Sequence, residues 1–148
     1  MAIVALAAWA PRGAVASTRP TYGQQVVAAV LMAEAWGEGE AAMTAVAEVI
    51  RQRADDAGRS PLWAVQQPLQ FSCLNGVEPR ELIRKYMRHP DFELALRIAR
   101  RMYNRPEALA WIARGATHFE RVGTRAYWTA GHQPVARIGR LDFYRLRN

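Results

Sequence analysis

The segment from Tyr22 to Gly39 constrains the fold more than any other part of the chain. Val27, Val30, Leu31 and Glu34 recur at helical spacing, which predicts an α-helix over Tyr22–Trp36 with a carboxylate on its apolar face. Thr21 stands where an N-cap belongs, and Gln24 follows three residues later, the pattern of a capping box. Gly37 and Gly39 end the helix. Such a stripe must be buried against partners, so the rest of the chain has to supply them.

The partners read mostly as further helices. Glu40 to Ala57 carries a stripe of Met43, Val46, Ala47 and Ile50, with Thr44, Glu48 and Arg51 off it, and Gly58 ends it. Ser60-Pro61-Leu62 reads as a turn into a short helix over 62–66, and residues 67–78 as a loop. Pro79 to Arg88 predicts a helix, which His89-Pro90 breaks. Asp91 to Tyr103 is strongly amphipathic through Phe92, Leu96, Ala99 and Met102, and Pro106 to Ile112 reads as short and helical. After Gly115 the pattern changes to Thr117, Phe119, Val122, Tyr127 and Trp128 between glycines, which suggests short extended structure. The expected fold class is mainly α (α+β), a single domain with a small extended or β element in the C-terminal third.

A length of 148 residues suits one domain, and 51% hydrophobic against 22% charged residues argues against disorder. Residues 1–20, with Pro11, Gly13, Ser17 and Pro20, read as an N-terminal arm, leaving 21–148 as the domain. No Walker loop or Gly-rich dinucleotide fingerprint is present, and no parallel sheet is expected, which excludes Rossmann-type nucleotide binding. One cysteine, Cys73, excludes an internal disulfide and any zinc site needing two thiolates. His89, His118 and His132 show no metal spacing, so neither metal nor cofactor is expected. No stretch approaches the ~20 apolar residues that span a bilayer. The apolar start, Ile3 to Ala10, lacks a preceding cationic region, so no cleaved signal is expected and synthesis in the cytoplasm is.

Twenty basic side chains against 13 acidic ones give a net charge of +7, and Lys85 is the one lysine. A basic surface favours polyanions: nucleic acid, anionic membrane or an acidic wall polymer. The last 28 residues set Arg121, Arg125, Arg137, Arg140, Arg145 and Arg147 against Asp142 alone, either as a binding face or as a solvated rim. A nucleic-acid-binding helical module would explain the charge, although no DNA-binding motif accompanies it.

The sharpest chemical feature is Ala33-Glu34-Ala35-Trp36-Gly37-Glu38-Gly39-Glu40. A carboxylate on an apolar stripe near a helix C-terminus is partly desolvated and faces the negative end of the dipole. Both effects raise its pKa and suit it to be a general acid. Glu38 and Glu40, in the turn, are expected to be more exposed and ionised. The bland alternative is a charged helix end whose Glu34 snorkels or pairs with an arginine. Gln70-Phe71-Ser72-Cys73 places polar groups beside an aromatic, which suits a sugar, or else Phe71 merely anchors a loop. Trp128 and Tyr127, after Gly115-Ala116-Thr117-His118-Phe119, are candidates to line a cleft. No signature of a catalytic cysteine surrounds Cys73.

Together these blocks resemble the spore-cortex-lytic, SleB/CwlJ-type cell-wall hydrolases. Ala33-Glu34-Ala35-Trp36-Gly37-Glu38, then Ala45-Val46-Ala47, Val49-Ile50 and Gln52-Arg53, look like that family's first segment. Pro68, Gln70, Phe71 and Ser72 are similar to its "QP-x-QFS", and Gly115 to Phe119 to its "GAT" stretch. Trp128, Ile138-Gly139 and Phe143-Tyr144 resemble its closing segment. The blocks occur in order over roughly residues 25–145. Gln52 stands where the family usually has Asn, Leu141 where it has His, and Glu120 where His or Asn is common.

The resemblance implies a lysozyme-like, α-rich fold that cleaves peptidoglycan between N-acetylmuramic acid and N-acetylglucosamine. One glutamate protonates the glycosidic oxygen. In the lytic transglycosylase form the muramic acid's own C6 hydroxyl closes a 1,6-anhydro ring, so a second carboxylate is unnecessary. By position Glu34 is that acid, with Glu38 as fallback, and Gln70, Phe71, Ser72, Thr117, Trp128 and Tyr144 are the expected substrate contacts. The implied partner is peptidoglycan; the positive charge adds anionic envelope polymers, and small size and basic charge without a signal suggest phage or phage-like tail proteins, while nucleic acid is not expected. Such an endolysin-like enzyme would act on the wall after release or within a particle. A non-catalytic wall-binding or structural component of a particle is the alternative that the substitutions at Gln52 and Leu141 keep open.

Overall fold

The structure, a computed structural model, describes residues 19–146. The expected arm over 1–20 therefore falls outside the described residues except for Arg19 and Pro20, as do the apolar run at 3–10 and Arg147. Five α-helices come first: α1 (Tyr22–Ala35), α2 (Glu40–Ala57), α3 (Pro61–Gln66), α4 (Pro79–Tyr86) and α5 (Phe92–Asn104). A small sheet of β1 (His118–Arg121), β2 (Ala136–Ile138) and β3 (Leu141–Tyr144) follows. The mainly α fold class with a small C-terminal β element is the one observed.

The capping box forms as expected. Thr21 Oγ1 accepts from the Gln24 N–H at 3.2 Å, and Gln24 Oε1 accepts from the Thr21 N–H at 3.0 Å. The one-sided stripe of α1 does not form. Val26 through Leu31 are all fully buried, because α1 packs against α2, α3, α4 and α5. The continuous run Val26-Val27-Ala28-Ala29-Val30-Leu31-Met32-Ala33 suits a helix enclosed by its neighbours. A single turn of 3-10 helix, Trp36–Glu38, joins α1 to α2.

α2 also buries more than its stripe. Thr44 and Glu48, expected off the apolar face, are 7% and 1% exposed. Glu48 is covered because the chain after α5 returns over it: its two carboxylate oxygens accept from the N–H of Ile112 (3.0 Å) and of Ala113 (2.7 Å). That return also explains why the helix expected over 106–112 shrinks to one 3-10 turn, Pro106–Ala108. Trp111 and Arg114 adopt positive φ, so the segment turns its amides toward Glu48 rather than into a helix.

The sheet order is β1-β3-β2, all antiparallel. Phe119 on β1 and Ala136 on β2 both face Phe143 on β3, which is fully buried. Phe71, Phe119 and Phe143 form a row of rings with centroids 6.2 and 5.8 Å apart, which seats the sheet on the loop after α3. Asp142, 6% exposed on β3, receives both Nε (2.6 Å) and Nη2 (2.8 Å) of Arg137. Among the described residues no helix is long and apolar enough to cross a membrane, and no group of three or more His, Cys, Asp or Glu side chains is placed to hold a metal ion.

Candidate active site

Glu34 lies on the last turn of α1, between the fully enclosed core and the loop after α3. Its carboxyl is half-buried, and Oε1 is buried with no hydrogen-bond partner among the described residues. Its neighbour is Cys73, close enough to act on the carboxyl's titration. Burial raises the Glu34 pKa above the usual carboxylate range; the Cys73 donors and the more remote charge of Arg121 oppose that shift without cancelling it. The same proximity, added to burial, pushes the Cys73 thiol up to about 12. Cys73 is thus a protonated thiol and a poor nucleophile near neutral pH. A cavity of about 420 Å³ opens on the Cys73 side, lined by Ala33, Cys73, Glu81, Lys85 and Tyr86 among others, and Glu34 itself is not part of its lining.

Glu38, expected to be exposed, is instead 6% exposed and clamped. Oε1 accepts from Arg121 Nη1 at 3.1 Å and from Arg140 Nε at 2.9 Å, while Oε2 accepts from the Arg140 N–H at 2.9 Å. These bonds lower the pKa of its carboxyl, the Arg140 backbone donor contributing most. Gly139 makes the close approach possible: its φ is +57°, and a Cβ there would come within 2.7 Å of Glu38 Oε2. The clamp joins the end of α1 to the β2–β3 turn. A carboxylate so paired favours its ionised form, which does not suit it to donate a proton.

The other expected contacts divide into two groups. Gln70 is exposed and shares a second cavity, of about 410 Å³, with Thr117 and His118. The Thr117 hydroxyl is already committed, to His118 Nδ1 (2.9 Å) and to the backbone of Leu146. Ser72 is exposed at the start of the 3-10 turn Ser72–Leu74. Phe71 is not a free sugar platform: it is 2% exposed, with the Arg53 guanidinium 5.4 Å from its ring centroid and Phe119 beside it. Tyr144, 6% exposed, gives its hydroxyl to Glu120 Oε1 at 3.3 Å, and Glu120 Oε2 in turn accepts from the Ala126 N–H at 2.9 Å. Trp128 is half-buried between His118 and Tyr144, with ring centroids 5.3 and 5.5 Å away. Two of the three departures, besides Glu120, also have local roles. Gln52 Nε2 donates to Asp56 at 2.8 Å, and Leu141 is buried in the sheet.

Two contributors escape sequence reasoning. Arg53 sits in the helix block of the resemblance without a role, yet it lines the second cavity, and its Nη1 is buried without a partner. Trp63, on the short α3, is 37% exposed on the same cavity. The available signal was an arginine three residues past Ile50, at the end of the apolar stripe of α2.

Residues 37–144 match the family model described as cell wall hydrolase. The matched span begins three residues after Glu34 and takes in Glu38, Arg53, Cys73 and the whole sheet. No curated protein and no solved structure matches the chain at a significant level. With most of its length inside that match, the chain belongs to the cell wall hydrolase family, enzymes that act on the wall by hydrolysing peptidoglycan.

Proposed function

We propose that this domain, taken as 21–148, cleaves glycan strands between N-acetylmuramic acid and N-acetylglucosamine, with Glu34 as general acid and then base. The observation that carries the reading is the contrast between two nearby glutamates. Burial raises the pKa of Glu34, which enters none of the ion pairs among the described residues, whereas a backbone donor and two arginines lower that of Glu38. The acid of a glycosidase has to be protonated at working pH, and only the first is shifted in that direction.

In the transglycosylase form Glu34 gives its proton to the glycosidic oxygen as the bond to the muramic C1 breaks. The C6 hydroxyl oxygen of the same sugar then bonds to C1, and its proton returns to Glu34. Protons balance and no water is consumed. A hydrolytic form is the second reading, favoured by Glu81 on the wall of the adjoining cavity, where a carboxylate could direct water. The positive charge suits the anionic polymers of an envelope, and delivery by a phage or phage-like particle is the route this reading favours.

Glu34→Gln should fold as the parent does and lose about 10²- to 10⁴-fold in lysis of purified sacculi, the usual contribution of a positioned acid. Full lysis by that variant would remove Glu34 from the mechanism. Mass spectrometry of the digest separates the forms: anhydromuramic ends mark ring closure, reducing ends mark hydrolysis. If the unaltered protein binds sacculi and releases no fragments, the non-catalytic alternative holds.

A further inference from the structure

We propose that the cavity around Arg53 is a second subsite, which binds a carboxylate of the peptide that branches from the glycan. This deepens the reading of the domain as a glycan-cleaving enzyme and rests on it. The cavity holds about 410 Å³, and its chemically active lining is Arg53, Asp56, Trp63, Gln70, Thr117 and His118.

Arg53 is the reason to expect an anion. It lies on α2, where α2 meets β1. Its Nε is spent on the Thr117 carbonyl, and its ring-facing side lies over Phe71. Nη1 has no hydrogen-bond partner, and none of the ion pairs among the described residues includes Arg53. Burial lowers its pKa to about 10, which still leaves it cationic at neutral pH. A desolvated, uncompensated guanidinium is costly, and an incoming oxyanion relieves that cost. The other charged groups facing it do not supply one. Asp56 is exposed at the rim and takes the Gln52 amide, while His118 is kept neutral by burial and by the Arg53 charge itself.

The rest of the lining selects the carrier. Trp63 and Pro68 give an apolar wall for a short aliphatic side chain, and the exposed Gln70 amide offers a donor and an acceptor to a peptide group. One uncompensated cation with Asp56 nearby fits a monoanionic carboxylate better than a dianionic phosphate. The position fits as well. Gln70 on this cavity and Cys73 beside Glu34 are three residues apart, so their Cα atoms lie within about 11 Å. A strand held at Glu34 would thus carry its peptide past the mouth of the Arg53 cavity.

The test uses the inactive Glu34→Gln protein, so that binding is read apart from cleavage. It is titrated with acetyl-L-alanyl-D-glutamate, with the diamide of that dipeptide, and with inorganic phosphate, by calorimetry. The dipeptide should bind, and the diamide at least about tenfold more weakly, because a hydrogen bond to a charged group is lost. Arg53→Gln in the same background should weaken the dipeptide by a similar factor. Trp63→Ala, at a partly exposed position, should weaken dipeptide and diamide alike. If Arg53→Gln does not fold, the dipeptide–diamide difference on the intact cavity still decides. Equal affinity for the two, or no binding of either, overturns the proposal. Binding of phosphate without the dipeptide overturns it in favour of a phosphate-bearing polymer. Loss of lysis in the unaltered enzyme would refute the glycosidase reading alone and leave this result standing.

Discussion

Glu34 and Glu38 are one helical turn apart in sequence, and their surroundings push their carboxyls in opposite directions. The consequence for stability has opposite signs. A buried carboxyl whose folded pKa is raised costs stability above that pKa, and the cost fades as pH falls toward the unfolded value near ~4.3. Glu34→Gln should therefore melt at or above the parent temperature at pH 8, with the gap closing in acid. A clamped carboxylate with a lowered folded pKa stabilises above the unfolded value and loses that contribution as pH falls through the folded one. Glu38→Gln should therefore melt below the parent at pH 7 and converge with it in strong acid. Melts of both variants from pH 3 to 8 check the pair, and a pH-independent gap for either would contradict the assigned protonation. Glu34 was legible in the sequence because apolar residues precede it at helical spacing. The clamp on Glu38 was not, because its partners Arg121 and Arg140 stand 83 and 102 residues away.

Helices were legible where they are bounded by caps and glycines, and less so where other segments cover them. α5 buries Phe92, Leu96, Ala99 and Met102, the stripe its spacing shows. α2 does the same for Met43, Val46, Ala47 and Ile50, but Glu48 vanishes beneath a segment more than 60 residues away. No local pattern marks such a cover, and the same cover dissolves the helix expected over 106–112. Glu48→Leu tests the link between them. It keeps the apolar bulk and strands the amides of Ile112 and Ala113, at about 1–3 kcal/mol for each buried donor left unpaired. A lowered melting temperature with faster hydrogen exchange at those two amides is the expected result. Unchanged exchange there would show that the carboxylate does not hold the segment.

Charge acts at the scale of the whole molecule. Arg121 and Arg140 pair with Glu38, and Arg137 with Asp142, so part of the basic C-terminal segment is spent on ion pairs of the fold, while Arg125 and Arg145 are exposed and enter none of the ion pairs among the described residues. The net charge of +7 remains, and attraction to an anionic wall over a Debye length of about 10 Å at 0.1 M salt should be salt-sensitive. Pelleting Glu34→Gln with sacculi should show binding falling as sodium chloride rises from low to high concentration. Salt-independent pelleting would assign capture to the cavities alone. The order of strands carries one more consequence. β3 lies between β1 and β2, yet it follows both along the chain. A ribosome therefore releases the two outer strands before the one that can join them, and Arg140, which ties down the α1 end, emerges only then. A growing polypeptide is left unfinished at one end: the helical body can gather early, but the sheet is assembled only after residue 144 has emerged.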